Sequence, residues 1–150
     1  MKNLLLLPLL FMLPYRAISQ DASKIVTKEE IETVIGGKIK NVNVEPDKSI
    51  ARYYAENGKP YQEAVIVSVG DSKNGTYDYA LKISQSAKYF KNDVKGFGDK
   101  AFWEEASGVY GTLHVVKGSK YISINVGQSK SPLTYFDAAK KLMDAALKRL

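Results

Sequence analysis

The run Gly96-Phe97-Gly98-Asp99-Lys100-Ala101 fits GxGxxA, one written form of the dinucleotide-binding fingerprint. Such a site needs its glycines between a buried strand and the N-terminus of a helix, whose free amides and dipole hold the pyrophosphate. The flanks supply neither. Ahead lies YFKNDVK, too polar for a buried strand; behind lies AFWEEASGVYG, whose Gly108, Gly111 and aromatic pair make a poor helix. Asp99 would also meet the phosphates with like charge. These residues suit a turn better. Gly96 and Gly98 can take positive φ or allow close approach, Asp99 can cap through its carboxylate, and Phe97, Phe102 and Trp103 can seat the turn on a sheet.

Asp99, Glu104 and Glu105 place three carboxylates within seven residues, which raises calcium. A calcium loop wants oxygen ligands at alternate positions, and Phe102 and Trp103 stand where ligands should be. On a strand Glu104 and Glu105 also point to opposite faces. With one His and no Cys, a zinc site or a Ser-His-Asp triad has too few members. His114 falls on the polar side of a strand and reads as a surface or interface residue. Glu56 and Glu63 could form a glycosidase-like pair, but sequence spacing does not set their separation in space. No residue set therefore defines an enzyme, a metal site or a cofactor, and the expectation is a non-enzymatic protein.

Composition narrows the setting in which such residues work. The start, MKNLLLLPLLFMLPYRAIS, has a basic first turn, an apolar run from Leu4 to Leu13, and Ala17 and Ser19 spaced for cleavage. This pattern predicts a secretory signal peptide over residues 1–19, cut after Ser19. The ten-residue run, broken by Pro8, is half of the roughly 20 residues that a spanning helix needs, so no integral span is expected after cleavage. Removing Lys2 and Arg16 with the leader lowers the net charge from +6 to +4. The expected address is the periplasm or the medium. One domain over residues 20–150 is large enough for its own core without disulfides. Its lysines are dispersed along the chain, which argues against a nucleic-acid partner.

The elements that must position these residues follow from periodicity. After a short polar leader at 20–24, Thr27 and Glu30 form a capping box with Val26 and Ile31 as its staple, opening a helix that Gly36-Gly37 ends. Alternation then predicts strands at Ile39–Val44, Ile50–Ala55 and Gln62–Val69, with a loop at Asn57–Pro60. In residues 76–90 Tyr77, Tyr79, Leu81 and Ile83 alternate as in a strand, while Tyr79, Ile83, Ala87 and Phe90 share a helical stripe; the length favours a helix. Lys100–Glu105 should be a strand. Then comes a hairpin, VYGTLHVV and YISINV joined by Lys117–Lys120, with Leu113, Val115, Ile122, Ile124 and Val126 on one face and Thr112, His114, Tyr121, Ser123 and Asn125 on the other. Ser131 and Pro132 open a last helix with a stripe of Phe136, Ala139, Met143, Ala146, Leu147 and Leu150. The result is an α+β domain, an antiparallel sheet of about six strands with helices packed on it, in the order α-βββ-α-βββ-α.

Val94, Gly96, Gly98, Asp99 and Ala101, followed by an aromatic pair and TLHVVKGSKYISINV, resemble the VxGxGDxA-aromatic segment and hairpin of small secreted and lipoprotein envelope domains of the actinobacterial type. TKEEIETVIGG is similar to the helix that opens them. The resemblance implies an envelope-side α+β domain without an assigned activity. Nine of the ten tyrosines follow residue 19, and Tyr is frequent in interfaces. The expected function is thus the binding of a secreted or envelope protein or another envelope component. The alternative is a small apolar molecule or lipid in a pocket between sheet and helices. Trp103, Tyr110, His114, Tyr121 and Phe136 are the candidate contacts.

Overall fold

The computed structural model describes residues 20–58, 62–106, 108–127 and 129–150. The predicted leader, and Lys59 and Pro60 of the predicted loop, lie outside the described residues. Those described form four α-helices and a seven-stranded antiparallel sheet: α1 (Ala22–Ile25), α2 (Lys28–Ile35), β1 (Ile39–Val44), β2 (Ile50–Ala55), β3 (Val65–Asp71), α3 (Thr76–Ser86), β4 (Phe90–Asp93), β5 (Lys100–Ala106), β6 (Tyr110–Lys117), β7 (Lys120–Val126) and α4 (Tyr135–Leu147). The spatial order is β1-β2-β3-β7-β6-β5-β4, so two meanders meet where β3 pairs with β7.

The α+β class and the antiparallel sheet stand, and residues 76–86 are helical. Two expectations need correction. The sheet has seven strands rather than about six, because Phe90–Asp93 forms β4 at the edge, paired on one side to β5. An edge strand needs no apolar alternation, and charged residues there discourage pairing with other chains. The order of helices also differs: residues 20–24 are no polar leader, since Asp21 caps a one-turn α1 that buries Ala22 and Ile25. The Gly96–Asp99 turn accordingly links β4 to β5 rather than a helix to the sheet.

The local signal that opens α2 holds, and the one for α4 is displaced. The Thr27 hydroxyl accepts from Glu30 N–H at 3.3 Å while the Glu30 carboxylate accepts from Thr27 N–H at 2.9 Å, closing the capping box of α2. For α4 the cap is Thr134, whose hydroxyl accepts from Asp137 N–H, so Ser131 and Pro132 fall in the preceding loop. That loop is anchored by the Ile35 carbonyl, which accepts from the N–H groups of Lys130 and Ser131 at 2.8 and 3.0 Å. The buried face of α4 is Ala138, Ala139, Leu142, Met143 and Ala146; Leu150, expected in the stripe, is exposed.

Helices α1, α2 and α4 all pack on one face of the sheet. Their apolar residues close over Ala51, Tyr53, Val65, Val67, Trp103, Leu113, Val115, Ile122, Ile124 and Val126, which alternate along their strands. Burying a side chain of this kind contributes about 1.5–3 kcal/mol, so this layer supplies most of the stability. The two ends of the described stretch are tied together in the same layer. Gln20 donates to the Arg149 carbonyl at 3.2 Å, and Arg149 donates to the Ile25 carbonyl and to both Glu30 oxygens. The other face carries α3, whose Tyr77, Ala80 and Leu81 cover Phe102, Val116, Tyr121 and Phe90.

Candidate functional site

Because α3 covers part of the second face, the remainder of that face is open. A cleft of about 470 Å³ lies there, walled by Gln62, Glu63, Ile66, Ser68, Glu104, Tyr110, Thr112, His114, Ser123, Asn125 and Gly127. Its floor is the even-numbered side of β6 and the odd-numbered side of β7, aligned by the pairs Thr112↔Asn125 and His114↔Ser123. Glu104 joins them from β5 opposite Thr112, and Ile66 and Ser68 join from β3 opposite Asn125 and Ser123. Four strands, β3, β5, β6 and β7, become one surface through register alone.

His114 organises the floor. Contrary to the expectation of a surface position, it is only 6% exposed, because its ring stacks on Phe102 at 4.2 Å and 6° under the cover of α3. Its Nδ1 lies 2.7 Å from the Tyr121 hydroxyl and its Nε2 3.2 Å from Glu104 Oε1. Burial pushes the Glu104 carboxyl up, but His114 foremost, then Ser84 and Thr112, outweigh burial and hold it below its ordinary value. An ionised Glu104 requires a proton on Nε2. In the neutral imidazole Nδ1 then accepts from Tyr121, whose hydroxyl burial pushes up to about 12, so that it stays protonated and donates. Thr112 is fixed in turn by Asn125 Nδ2 at 2.8 Å. At the rim Glu63 lies 3.4 Å from the Tyr54 hydroxyl and 3.8 Å from Arg52 Nε. Tyr110 forms a wall with Tyr89 set edge-on at 6.5 Å.

The five candidate contacts therefore divide. Tyr110, His114 and Tyr121 belong to the cleft face. Trp103 and Phe136 lie on the helical face, their rings 5.0 Å apart in the main core. The space between sheet and α4 is filled at this place: a Cβ on Gly111 would come within 2.1 Å of the Trp103 indole. Glu104, Glu63, Thr112 and Asn125 enter the site without having been singled out for it. The signal was available for Glu104, since extending the polar side of the hairpin to the next strand reaches it.

The other sequence candidates are dispersed. Gly98 (φ 56°) lies against β6, where a Cβ would stand 2.2 Å from the Val116 carbonyl oxygen. Asp99 accepts from Gly118 N–H at 2.7 Å, capping the β6–β7 turn rather than its own. Asp99 is thus at the hairpin turn while Glu104 is in the cleft, and Glu105 is outside it. A smaller cleft of about 260 Å³ lies between Gly36–Lys38 and Ala55–Gly58.

Both His114 nitrogens are engaged within the protein, and the Tyr121 hydroxyl is made less acidic rather than more nucleophilic. What the arrangement does chemically is keep one carboxylate charged and oriented in a cleft. Among the described residues no helix is long and apolar enough to cross a membrane. No family model matches the chain. No curated protein matches it either.

Proposed function

We propose that the protein is a non-enzymatic periplasmic or secreted binding domain that holds a protein or other envelope component against the open part of its sheet. The observation that carries this reading is the unequal cover of the two faces. Three helices close one, whereas on the other α3 covers the Val116–Tyr121 end of the β6–β7 hairpin and leaves the cleft over β3 and the rest of that hairpin. Tyr79, Ile83, Tyr89 and Val109 are large apolar residues exposed on the surface outside the cleft. The secretory leader, and the resemblance of Val94–Val126 to envelope domains, support the address.

A test compares the tagged protein with Ile66→Arg in affinity capture from envelope extract. Ile66 is half-buried on the cleft wall, so the substitution blocks the cleft and spares the main core. Capture lost with Ile66→Arg supports the reading; equal capture by both proteins overturns it.

A second reading, a small-molecule binder, moves to the same cleft from the helical face. Its volume of about 470 Å³ falls among those of ligand sites, which run from roughly 300 to 1,000 Å³. The mixed polar lining favours a hydrogen-bonding ligand over the apolar one first expected.

A further inference from the structure

Resting on the reading of the open face as a binding surface, we propose that its cleft takes an organic cation, an alkylammonium or guanidinium group, with Glu104 as the anchor and Tyr110 as the wall. The chain as a whole carries a net charge of +6, yet the residues lining the cleft include two carboxylates and no Lys or Arg. An anionic ligand would meet like charge there, and a neutral apolar one would strand the polar floor.

The anchor is built rather than incidental. His114 is held flat by Phe102, its Nδ1 is occupied by Tyr121, and its Nε2 is left to face Glu104. Among the ion pairs of the described residues, Glu104 has His114 and no Lys or Arg, whereas Glu63 at the rim already has Arg52. Tyr110 lines the same space, with Tyr89 nearly perpendicular to it, so an aromatic ring and a carboxylate wall one cleft, the pairing that recognises organic cations.

Two sources present this chemistry, a Lys or Arg side chain of a polypeptide and a free amine. The experiment titrates the full protein with three probes: n-butylamine, the blocked peptide acetyl-Gly-Lys-Gly-amide, and its neutral isostere with norleucine in place of Lys. Binding is read by calorimetry. The expected result is binding of a cationic probe, no binding of the norleucine peptide, and a loss of about tenfold or more in Glu104→Gln. Tighter binding of the Lys peptide than of butylamine assigns the polypeptide source, and equal binding assigns the free amine. Ser123→Lys, which delivers an ammonium group of the protein's own to the cleft, abolishes binding without touching Glu104 and serves if Glu104→Gln does not fold. Binding of the norleucine peptide as tightly as the Lys peptide, binding indifferent to both substitutions, or no binding by either cation overturns the assignment. Capture from extract that Ile66→Arg destroys but Glu104→Gln and Ser123→Lys leave intact overturns the cation and spares the surface. Capture that Ile66→Arg leaves intact overturns the surface itself.

Discussion

The Tyr121 hydroxyl lies 2.7 Å from His114 Nδ1, although the two residues are not paired across the hairpin: His114 faces Ser123, and Tyr121 faces Val116. The bond is a diagonal one on the same face of the sheet, and it is buried. Tyr121→Phe keeps the ring that Tyr77 packs against but leaves Nδ1 without its donor. A buried acceptor so stranded costs about 1–3 kcal/mol. The urea midpoint should fall accordingly, and the loss should largely vanish in the background of His114→Phe, where no acceptor remains to strand.

Stability should decline at both ends of the pH scale. Tyr121 is pushed up to about 12 by burial, and Tyr53 to about 12 by burial and the charges of Asp21, Glu29 and Glu30. Their folded values exceed the ordinary 10.0, so their contribution is complete below pH 10.0 and is lost as pH rises through about 12. Glu104 and Glu30 run the other way. Burial raises each, but His114 for the first, and Arg149 with Thr27 for the second, outweigh it and depress the folded value below 4.5. Their contribution is present above pH 4.5 and is lost as pH falls through the lower folded values. Urea unfolding across pH, with tyrosinate absorbance followed in parallel, should give a plateau between these limits. Tyr121→Phe should remove part of the alkaline decline.

Gly98→Val should destabilise by about 2–4 kcal/mol, the sum of a left-handed backbone for a β-branched residue and an obstructed close approach. The Val116 carbonyl oxygen that the new side chain would meet is also the acceptor of Asp99 N–H at 2.7 Å, so the clash breaks the contact that holds the turn. Thermal unfolding of the variant against wild type measures it. A change below about 0.5 kcal/mol would mean that the turn does not need this approach.

Gly111→Ala should cost about 1–3 kcal/mol through overpacking. The methyl would collide with the Trp103 ring, which is pinned on its other side by Phe136. Trp103 is the single Trp of the chain, so its fluorescence reports the site directly. The emission should shift to the red and become more easily quenched as the indole is displaced toward water.

Legibility in the sequence followed range of interaction. The hairpin of β6 and β7 and the capping box at Thr27 were readable because neighbours within a few residues determine them, and their core and polar faces came out as the alternation implies. The edge strand β4 was not, because Phe90-Lys91-Asn92-Asp93 has one apolar residue and gains its pairing from β5, ten residues on. The burial of His114 was hidden for a similar reason. Nothing near it in sequence announces that Phe102 will lie flat on its ring or that α3 will fold back over both. Trp103 and Tyr110 looked alike as aromatic candidates, but strand parity puts them on opposite faces, and parity was legible once β5 and β6 were taken as paired. The chosen cap Ser131 lost to Thr134 since either hydroxyl could serve and the loop's hold on Ile35 decides between them.

The closure of the chain ends has a bearing on orientation. With Gln20 bonded to Arg149, whatever precedes residue 20 and whatever follows residue 150 must leave the domain from one spot, beside α1 and the end of α4. That spot is on the helix-covered side, and the cleft is on the opposite one. A chain moored there, by a surface or by a fusion partner, would stand with its open side turned away from the mooring and toward whatever passes in solution.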